Sequence, residues 1–235
     1  MLPWDSEFFG VRIAQIDAAA FVEPRRAGCL QWCHDQRIDC AYLFVDCADQ
    51  ELLDAASATG FRLVDIRVTL RVAAGTVFEN RPPAGIELRP SRESDIDGLS
   101  MIAIGAHHDT RFYVDRRFDR DRCDALYQLW IAKSCRGWAD HVVVAEQAGE
   151  AVGYVTCHKS PGAGRIGLVG VAQEARGRGI GHAMVGEALR WLAGEGVDDV
   201  SVATQARNTT GLSLYQKSGF AVRTIDCGFH KWFGP

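Results

Sequence analysis

Residues 167–181 read Gly-Leu-Val-Gly-Val-Ala-Gln-Glu-Ala-Arg-Gly-Arg-Gly-Ile-Gly. The first part is apolar and favours a strand, and an amphipathic helix is expected to begin near Ile180. Between them, Gly177, Gly179 and Gly181 can adopt positive φ values, so that several backbone N–H groups point at one site. The helix N-terminus adds unsatisfied donors and the positive end of its dipole. The segment therefore predicts a phosphate-binding turn.

Two other phosphate-binding turns are excluded by the sequence. A P-loop needs Gly-Lys followed by Ser or Thr, and no Gly-Lys dipeptide occurs in the chain. The dinucleotide-binding pattern Gly-x-Gly-x-x-Gly fails because its third glycine position, counted from Gly177, holds His182. The remaining pattern, Arg176-x-x-Gly179-x-Gly181, resembles the pyrophosphate loop of the GNAT superfamily of CoA-dependent N-acyltransferases. The resemblance implies acetyl-CoA or another acyl-CoA as cosubstrate, whereas the alternative is an ordinary glycine-rich connection. The residues expected at the pyrophosphate are Arg176, Gly177, Gly179 and Gly181.

Composition limits the kind of partner that the chain can have. The chain has 235 residues, of which 47% are hydrophobic and 24% charged, as is usual for a globular protein. A formal net charge of −4 argues against nucleic acid as the main partner. The sequence has no apolar run of membrane-spanning length, and residues 1–7 lack the basic and apolar regions of a signal peptide. We therefore expect a cytoplasmic protein without a membrane partner.

The eight cysteines are expected to be buried thiols, because they form no Cys-x-x-Cys pair and most lie in apolar segments. Cys29, Cys33 and His34 come closest to a metal-binding cluster. Their helical spacing beside Leu30 and Trp32 favours a packing role. We therefore expect no metal.

The chain is predicted to fold in two parts, a small α/β domain over residues 1–80 and a larger domain over residues 86–235. A linker is expected at 73–85, where glycine, asparagine and proline interrupt the periodicity. In the first part we expect strands at 11–16, 41–45 and 63–72, and helices at 24–36 and 50–59. In the second part we expect strands at 86–90, 141–146, 151–158, 165–172 and 200–205, with two more at 220–224 and 227–232. Its helices are expected at 96–106, around 123–134, from 180 and from 208.

The order of these elements in the second part is that of the GNAT fold, so the resemblance covers about two thirds of the chain. It implies an α/β fold of the α+β GNAT kind, with a mixed, mostly antiparallel central sheet flanked by helices. Both parts end in the same pattern of helix, Gly-Phe and strand, at 59–61 and 218–220. The first part is therefore interpreted as a possible truncated copy of the same fold that contributes to the acceptor site.

A second informative stretch is residues 208–220, in which Asn208 and Tyr215 lie seven residues apart and so near one face of a helix. The GNAT resemblance implies that Asn208 caps this helix and contacts CoA. It also implies that Tyr215 offers its hydroxyl to the leaving CoA thiolate, which needs a proton or a hydrogen bond. The alternative is that Tyr215 is a core aromatic residue with its hydroxyl at the rim.

The strand at 165–172 is expected to supply the donors for the thioester oxygen. Gly167 and Gly170 suggest a β-bulge, which would free backbone N–H groups from the ladder. A simple bend is the alternative. This strand and the one at 200–205 are expected to splay apart and admit the pantetheine arm. The candidate donors are Leu168, Val169 and Val171.

The base that deprotonates the acceptor amine is left open by the sequence. An amine must be uncharged when it attacks the thioester, so a base or a water path is needed. His158, His107, His108 and Asp65 are candidates, and each is also compatible with a surface or structural role.

The acceptor is suggested by a resemblance to the TDP-fucosamine acetyltransferase family, carried by residues 2–10 and 110–113 together with 128–131, 203–205 and 208–209. The resemblance implies acylation of the 4-amino group of a dTDP-linked 4,6-dideoxyhexose. The glycine loop departs from that family in being fuller, with Gln-Glu-Ala at 173–175. The aromatic residues could stack on thymine and Arg111 could pair with the diphosphate; an equally good interpretation makes Trp4, Phe8 and Phe9 a hydrophobic plug. The candidate acceptor-binding residues are Trp4, Phe9, Arg111, Tyr113 and His158.

Two other functions are compatible with the sequence. One is acetylation of a protein N-terminus or a small amine, and the other is CoA binding without catalysis. The sequence also leaves a homodimer open.

Overall fold

The computed structural model describes residues 1–73 and 81–234. The helices are α1 (Pro3–Phe9), α2 (Arg26–Asp35), α3 (Gln50–Ala58), α4 (Ile96–Ala106), α5 (Arg111–Val114), α6 (Arg120–Lys133), α7 (Ile180–Gly194) and α8 (Thr209–Lys217). The strands are β1 (Ile13–Ile16), β2 (Cys40–Asp46), β3 (Arg62–Ala73), β4 (Ile86–Pro90), β5 (His141–Gln147), β6 (Glu150–Ser160), β7 (Ala163–Val171), β8 (Asp199–Gln205) and β9 (Ala221–Trp232). A π-helical turn, Ser134–Trp138, follows α6.

All nine strands belong to one sheet, in the order β1-β2-β9-β3-β8-β7-β6-β5-β4. The pairs β1/β2 and β7/β8 are parallel, and the other pairs are antiparallel. The predicted fold class, a mixed and mostly antiparallel sheet flanked by helices, is therefore confirmed.

Strand β3 joins the two parts of the chain, because it lies between β9 and β8. It pairs with β8 from Arg67 opposite Gln205 to Ala73 opposite Asp199. The first part therefore extends the sheet of the second part. Most of the predicted linker, residues 74–80, lies outside the described residues, and the division into two domains stays a prediction.

The local pattern predicts most elements closely. Strand β4 and helix α4 have the predicted bounds, whereas the two strands predicted after residue 220 are one continuous strand, β9. Helices α1 and α5 were not predicted. They have seven and four residues, too few to show a helical hydrophobic period.

Strands β7 and β8 splay as predicted. Their parallel pairing ends where Ile166 lies opposite Val202, although β7 continues to Val171 and β8 to Gln205. Next to the point of separation, β7 contains the predicted bulge: Val155 and Cys157 of β6 pair with Val169 and Ile166, which leaves one extra residue on β7. An open wedge between the two strands results.

Gly167 and Gly170 of β7 are glycines for different structural reasons. A Cβ on Gly167, inside the bulge, would lie 2.7 Å from Thr156 Oγ1 and 2.8 Å from His158 Nε2. Gly170 pairs with Tyr154 in the regular ladder, and a Cβ there would lie 2.6 Å from the Tyr154 ring. Only Gly167 therefore belongs to the bulge, while Gly170 makes room for a cross-strand aromatic ring.

The hydrophobic core forms three clusters around the sheet. In the first cluster, α7 and α8 pack on β3 and β5–β8. In the second, α4 and α6 pack together with the aromatic residues of α1 and α5. In the third, α2 and α3 pack on β1 and β2. Most cysteines are buried or half-buried as predicted, but Cys47, at the end of β2, is exposed. Within the described residues, no helix is long and apolar enough to cross a membrane.

Candidate active site

A large cavity opens at the wedge between β7 and β8, with a volume of about 780 Å³. The glycine turn and the N-termini of α7 and α8 line it, and the ends of α4 and β7 close it. Helix N-termini carry unsatisfied N–H groups and the positive end of the helix dipole. A volume of this size suits a cofactor-sized ligand, and its lining favours an anionic one.

The glycine turn has the geometry of a phosphate site. Gly177 and Gly179 have φ values of 75° and 80°, which glycine adopts readily. Gly181, by contrast, lies inside α7, where a Cβ would meet Leu214 of α8 at 3.4 Å, so its role is close helix packing. The expectation of a positive φ at Gly181 was therefore wrong.

Arg176 supports the turn from beneath. Its Nε donates to the carbonyl oxygen of Val171 at 3.0 Å, and a terminal nitrogen donates to the carbonyl oxygen of Gly105 at 2.9 Å. Arg176 also lines the cavity. Its guanidinium therefore ties the end of β7 to the end of α4 and leaves positive charge beside the turn.

Asn208 caps α8 as predicted. Its Oδ1 accepts from the Gly211 N–H at 2.9 Å, and its Nδ2 donates to Thr204 Oγ1 at 3.0 Å. A Cβ on Gly211 would lie 2.5 Å from that amide nitrogen, so a glycine is needed at this position. The cap directs the remaining N–H groups of the first turn of α8 toward the cavity.

Tyr215 is buried on α8 and lines the large cavity. Its ring makes an edge contact with Phe220. Burial raises the pKa of the Tyr215 hydroxyl above its ordinary value. The group therefore stays protonated at neutral pH and can donate a proton or a hydrogen bond.

A second, smaller cavity of about 190 Å³ adjoins the first. Four residues, Ala106, Val169, Asn208 and Tyr215, line both cavities. Two ligands bound in the two cavities would therefore meet beside Tyr215 and the bulge of β7.

The bulge presents the amides predicted to hold the thioester oxygen. The Leu168 N–H already donates to Thr156 Oγ1 at 2.8 Å, so it is engaged within the protein. Leu168 lines the second cavity and Val171 lines the first, while Val169 lines both. Of the three predicted donors, the Val169 amide has the best position for an oxyanion at the junction.

The second cavity is polar on the side of the first part of the chain. Asp65 of β3, which is 2% exposed, and Arg111 of α5 both line the cavity. Burial raises the pKa of Asp65, while the positive charges of Arg111 and Arg207 lower it, and the net shift is upward.

Arg111 stands on a platform of aromatic rings. Its guanidinium carbon lies 4.3 Å from the ring centroid of Phe112, 5.0 Å from that of Tyr42 and 5.4 Å from that of Phe44. Cation–π contacts of this kind stabilise a partly desolvated guanidinium. They hold its positive charge at the wall of the second cavity.

Unpaired buried polar atoms occur on Asp65 and Arg111, which line the second cavity, and on Tyr42, which packs against Arg111. Among residues 1–73 and 81–234, the buried side-chain atoms without a hydrogen-bond partner are Tyr42 Oη, Asp65 Oδ1, Arg111 Nε and His230 Nε2. Tyr42 lies beneath Arg111 and stacks on His230 with ring centroids 4.5 Å apart. Buried polar groups are almost always hydrogen-bonded. Their concentration here indicates a site that a polar ligand or water completes.

The four candidate bases differ in position. Asp65 and His107 line the second cavity, and His108 lines the first. Burial lowers the pKa of His107 to about 4, and its Nε2 lies 3.0 Å from the hydroxyl of Tyr154. His158 is outside the lining of both cavities, and its ring makes an edge contact with Trp138.

The other predicted acceptor-binding residues lie mostly in the core. Phe9 is buried against Phe112 and Phe118, and the hydroxyl of buried Tyr113 donates to Asp124 at 2.5 Å. Neither lines the second cavity, whereas Arg111 does. Trp4 is 37% exposed and approaches the cavity only through Trp130.

Sequence reasoning missed several residues that line the second cavity. Tyr127 and Trp130 come from one face of α6, and neither is among the predicted acceptor-binding residues. Thr204 and Gln205 come from the end of β8, just beyond the point where its pairing with β7 ends. The predicted splay of these two strands was the signal that could have identified them.

The comparisons with known proteins agree with this geometry. Residues 105–220 match the model of the acetyltransferase (GNAT) family. The chain is 28% identical over 229 residues to a dTDP-fucosamine acetyltransferase of Escherichia coli O6:H1, covering 95% of this chain and 93% of that protein. It is 23% identical to the spore coat polysaccharide biosynthesis protein SpsD of Bacillus subtilis, over 70% of this chain and 57% of that one. A mycothiol acetyltransferase of Clavibacter sepedonicus is 25% identical, over 75% of this chain and 57% of its own length.

Solved structures share the fold. A GCN5-related N-acetyltransferase from Sphaerobacter thermophilus has a TM-score of 0.67 at 20% identity, covering 89% of this chain and 67% of that one. A GCN5-related N-acetyltransferase from Kribbella flavida has a TM-score of 0.61 at 16% identity, covering 94% of this chain and 78% of that one. The family match, in turn, identifies residues 105–220 as a GNAT acetyltransferase domain, and the chain is an N-acetyltransferase of this kind.

Proposed function

We propose that this N-acetyltransferase transfers an acetyl or larger acyl group from CoA to the amino group of a dTDP-linked amino-dideoxy sugar. The observation that carries the proposal is the junction of the two cavities at Val169, Asn208 and Tyr215. The similarity to dTDP-fucosamine acetyltransferase supports a sugar nucleotide as the acceptor. It extends over 95% of the chain and therefore includes the first part, which supplies Asp65.

The large cavity fits the donor half of this reaction. Gly177 and Gly179 let backbone N–H groups face the pyrophosphate, and the N-termini of α7 and α8 add their dipoles. Arg176 contributes a fixed positive charge beside the turn. The wedge between β7 and β8 leaves strand edges free, along which the pantetheine arm would lie.

The residues at the junction support direct attack of the amine on the thioester. Asp65 holds the acceptor ammonium and takes its proton, so that the neutral nitrogen can attack the carbonyl carbon and form a C–N bond. The Val169 amide is placed to donate to the oxyanion that develops. When the C–S bond breaks, Tyr215 gives its proton to the CoA thiolate and regains one from the attached nitrogen, which becomes the neutral amide, while Asp65 returns its proton to solvent.

Arg111 is assigned to the diphosphate of the acceptor. A guanidinium recognises phosphate oxygens by two parallel hydrogen bonds, and its charge does not depend on pH in the working range. The aromatic platform keeps this group in place without a carboxylate that would have to be displaced. Asp65 and Arg111 together would select a ligand with an amine and an anion at opposite sides.

The similarity to mycothiol acetyltransferases favours a second candidate, acetylation of another small amine. That similarity spans 57% of the Clavibacter sepedonicus protein, against 93% of the dTDP-fucosamine acetyltransferase. In the described part of the site, no observation specifically favours acetylation of a protein N-terminus. The family match excludes the non-catalytic interpretation in favour of an enzyme.

The proposal is tested by measuring CoA release with acetyl-CoA and larger acyl-CoAs. The acceptors are dTDP-linked amino-dideoxyhexoses with the amine at different ring positions, small amines and N-terminal peptides. We expect the highest kcat/KM with a dTDP-amino sugar, with a mass increase of one acyl group on its nitrogen. A higher kcat/KM for a peptide or for an amine without a nucleotide would contradict the proposal.

A further inference from the structure

Three tryptophans from three different elements form a row on the surface beside the second cavity. Trp4 lies on α1, Trp130 on α6 and Trp138 in the π-helical turn. The ring centroids of Trp4 and Trp130 are 6.2 Å apart, and those of Trp130 and Trp138 are 6.3 Å apart. We call these three residues the tryptophan row.

The tryptophan row is continuous with the second cavity at two points. Trp130 itself lines the cavity. At the Trp138 end, the indole makes an edge contact with His158, whose ring lies over Gly167, another lining residue. Trp138 therefore lies next to the rim of the cavity, in contact with Trp130 on one side and His158 on the other.

The two exposed members of the row differ in the use of their ring faces. Trp4 stacks on Phe8 at an interplanar angle of 11°, and the Lys133 ammonium lies 5.4 Å from its centroid. Trp138 is 53% exposed, and its ring contacts are tilted with Trp130 and edge-on with His158. Large exposed aromatic side chains beside a cavity mark binding surfaces. The Trp138 face is the one left available for stacking.

The volume of the second cavity requires such an extension. Its volume is about 190 Å³, below the roughly 300–1,000 Å³ of pockets that enclose a drug-sized ligand. That space suits one sugar ring and a phosphate held by Arg111 at its wall, but not the nucleoside in addition. The nucleoside of a nucleotide-linked acceptor must therefore lie outside the cavity, on the surface next to its mouth.

We propose that Trp138 is the stacking platform for the nucleobase of the acceptor, a subsite that extends the sugar-nucleotide specificity proposed above and rests on it. A pyrimidine ring stacks on an indole without needing base-specific hydrogen bonds. The exposed Lys133 ammonium at the other end of the row adds positive charge near an anionic ligand. That charge suits a nucleotide better than an apolar protein surface.

The test is a calorimetric titration of the full chain with dTDP, which reports affinity whether or not an indole stands at position 138. The variants are Trp138→Ala, Trp138→Phe and Trp32→Ala, where Trp32 is a matched control, 41% exposed on α2. We expect Trp138→Ala to raise the Kd for dTDP by about fivefold to 150-fold. Trp138→Phe, which keeps an aromatic face, should restore most of the affinity. Trp32→Ala should bind as the wild type does, and acetyl-CoA binding should be unchanged throughout.

The turnover assay separates this proposal from the one on which it rests. Trp138→Ala should raise the KM for a dTDP-amino sugar and leave the KM for the amino sugar 1-phosphate unchanged. If dTDP binding depends on Trp138 but no dTDP-amino sugar is acetylated, the subsite stands and the proposed function fails. If the wild type does not bind dTDP, or Trp138→Ala binds it equally well, the subsite is overturned. A change in oligomeric state with unchanged dTDP affinity would also overturn it, since the row would then join two copies of the chain.

Discussion

Tyr215 and Asp65 divide the proton transfers of the proposed reaction between the two cavities. Tyr215 comes from α8 and lines both cavities, and Asp65 comes from β3 and lines the second. Burial raises the pKa of both groups, which favours a proton donor in one case and a proton acceptor in the other. It keeps Tyr215 a proton donor over the whole neutral range, and it makes Asp65 a stronger base than an exposed carboxylate.

Replacement of Tyr215 by Phe removes only the hydroxyl. We expect kcat to fall about 100- to 10,000-fold, the usual contribution of a general acid. The Kd for acetyl-CoA by calorimetry should stay within about twofold, since the ring still lines the cavity. Because the pKa of Tyr215 is raised, wild-type kcat should not decline through loss of this proton until well above pH 10. An unchanged kcat in Tyr215→Phe would remove this residue from the mechanism.

Replacement of Asp65 by Asn keeps the shape of the side chain and removes its basicity. We expect kcat/KM for the amine to fall about 100-fold or more. In the wild type, protonation of Asp65 should give an acid limb of the pH profile above the ordinary aspartate pKa of about 3.9, and this limb should be lost in the variant.

The stability of Asp65→Asn provides a second readout. A carboxyl whose pKa is raised on folding stabilises the protein below its unfolded-state pKa, and that contribution is lost as pH rises through the folded-state pKa. At pH 7 the ionised Asp65 therefore opposes folding, and the variant should keep or raise the Tm. Asp198→Asn, in an exposed loop, is the matched control and should change neither activity nor Tm. If Asp65→Asn had a lower Tm and full activity, Asp65 would have a structural role and no role as a base.

At the scale of single elements, the glycine turn and α7 determine whether the donor binds. The turn leads directly into α7, and Gly179 is the N-cap of that helix with a left-handed backbone. A β-branched residue is strained there, at a cost of about 1–3 kcal/mol. The turn would relieve the strain by moving its N–H groups off the pyrophosphate site.

Replacement of Gly179 by Val should therefore raise the Kd for acetyl-CoA about tenfold or more, measured by calorimetry. Gly194→Ala is the control, because it lies at the other end of α7 and a Cβ there meets nothing within 4 Å. That control should bind acetyl-CoA normally. Equal affinities in the two variants would show that the turn does not hold the pyrophosphate.

The elements also show what could be predicted from the sequence. The bounds of β4 and α4 and the cap at Asn208 follow from local patterns, because hydrophobic periodicity and capping act within a few residues. Local patterns could not explain why residue 170 is a glycine, because the ring that occupies the space of its side chain belongs to Tyr154 on the neighbouring strand. The packing of Phe9 in the core could not be predicted for the same reason, because its partner Phe118 is distant in sequence.

At the scale of the whole molecule, the acceptor site depends on the pairing of β3. Its neighbours are β8 and β9, which lie more than a hundred residues later in the chain. Local sequence patterns do not specify such partners, so this pairing could not be predicted from the sequence. Strand β3 brings Asp65 to the cavity that Arg111 and Trp130 line from the second part.

Because the two parts share one sheet, we can predict how the second part, residues 86–235, behaves when it is expressed without the first. In a chain of residues 86–235, the edges of β8 and β9 that pair with β3 would be exposed together, and unpaired edges promote aggregation. The buried side chains Val68, Leu70 and Val72 would also be missing from the core beside α7. We expect this fragment to be insoluble or to lack a cooperative thermal transition by circular dichroism, and to have no acetyltransferase activity. The full chain carrying Asp65→Asn is the comparison, because it should fold and bind acetyl-CoA while remaining inactive. A fragment that is soluble, melts cooperatively and binds acetyl-CoA would instead support the division into two domains.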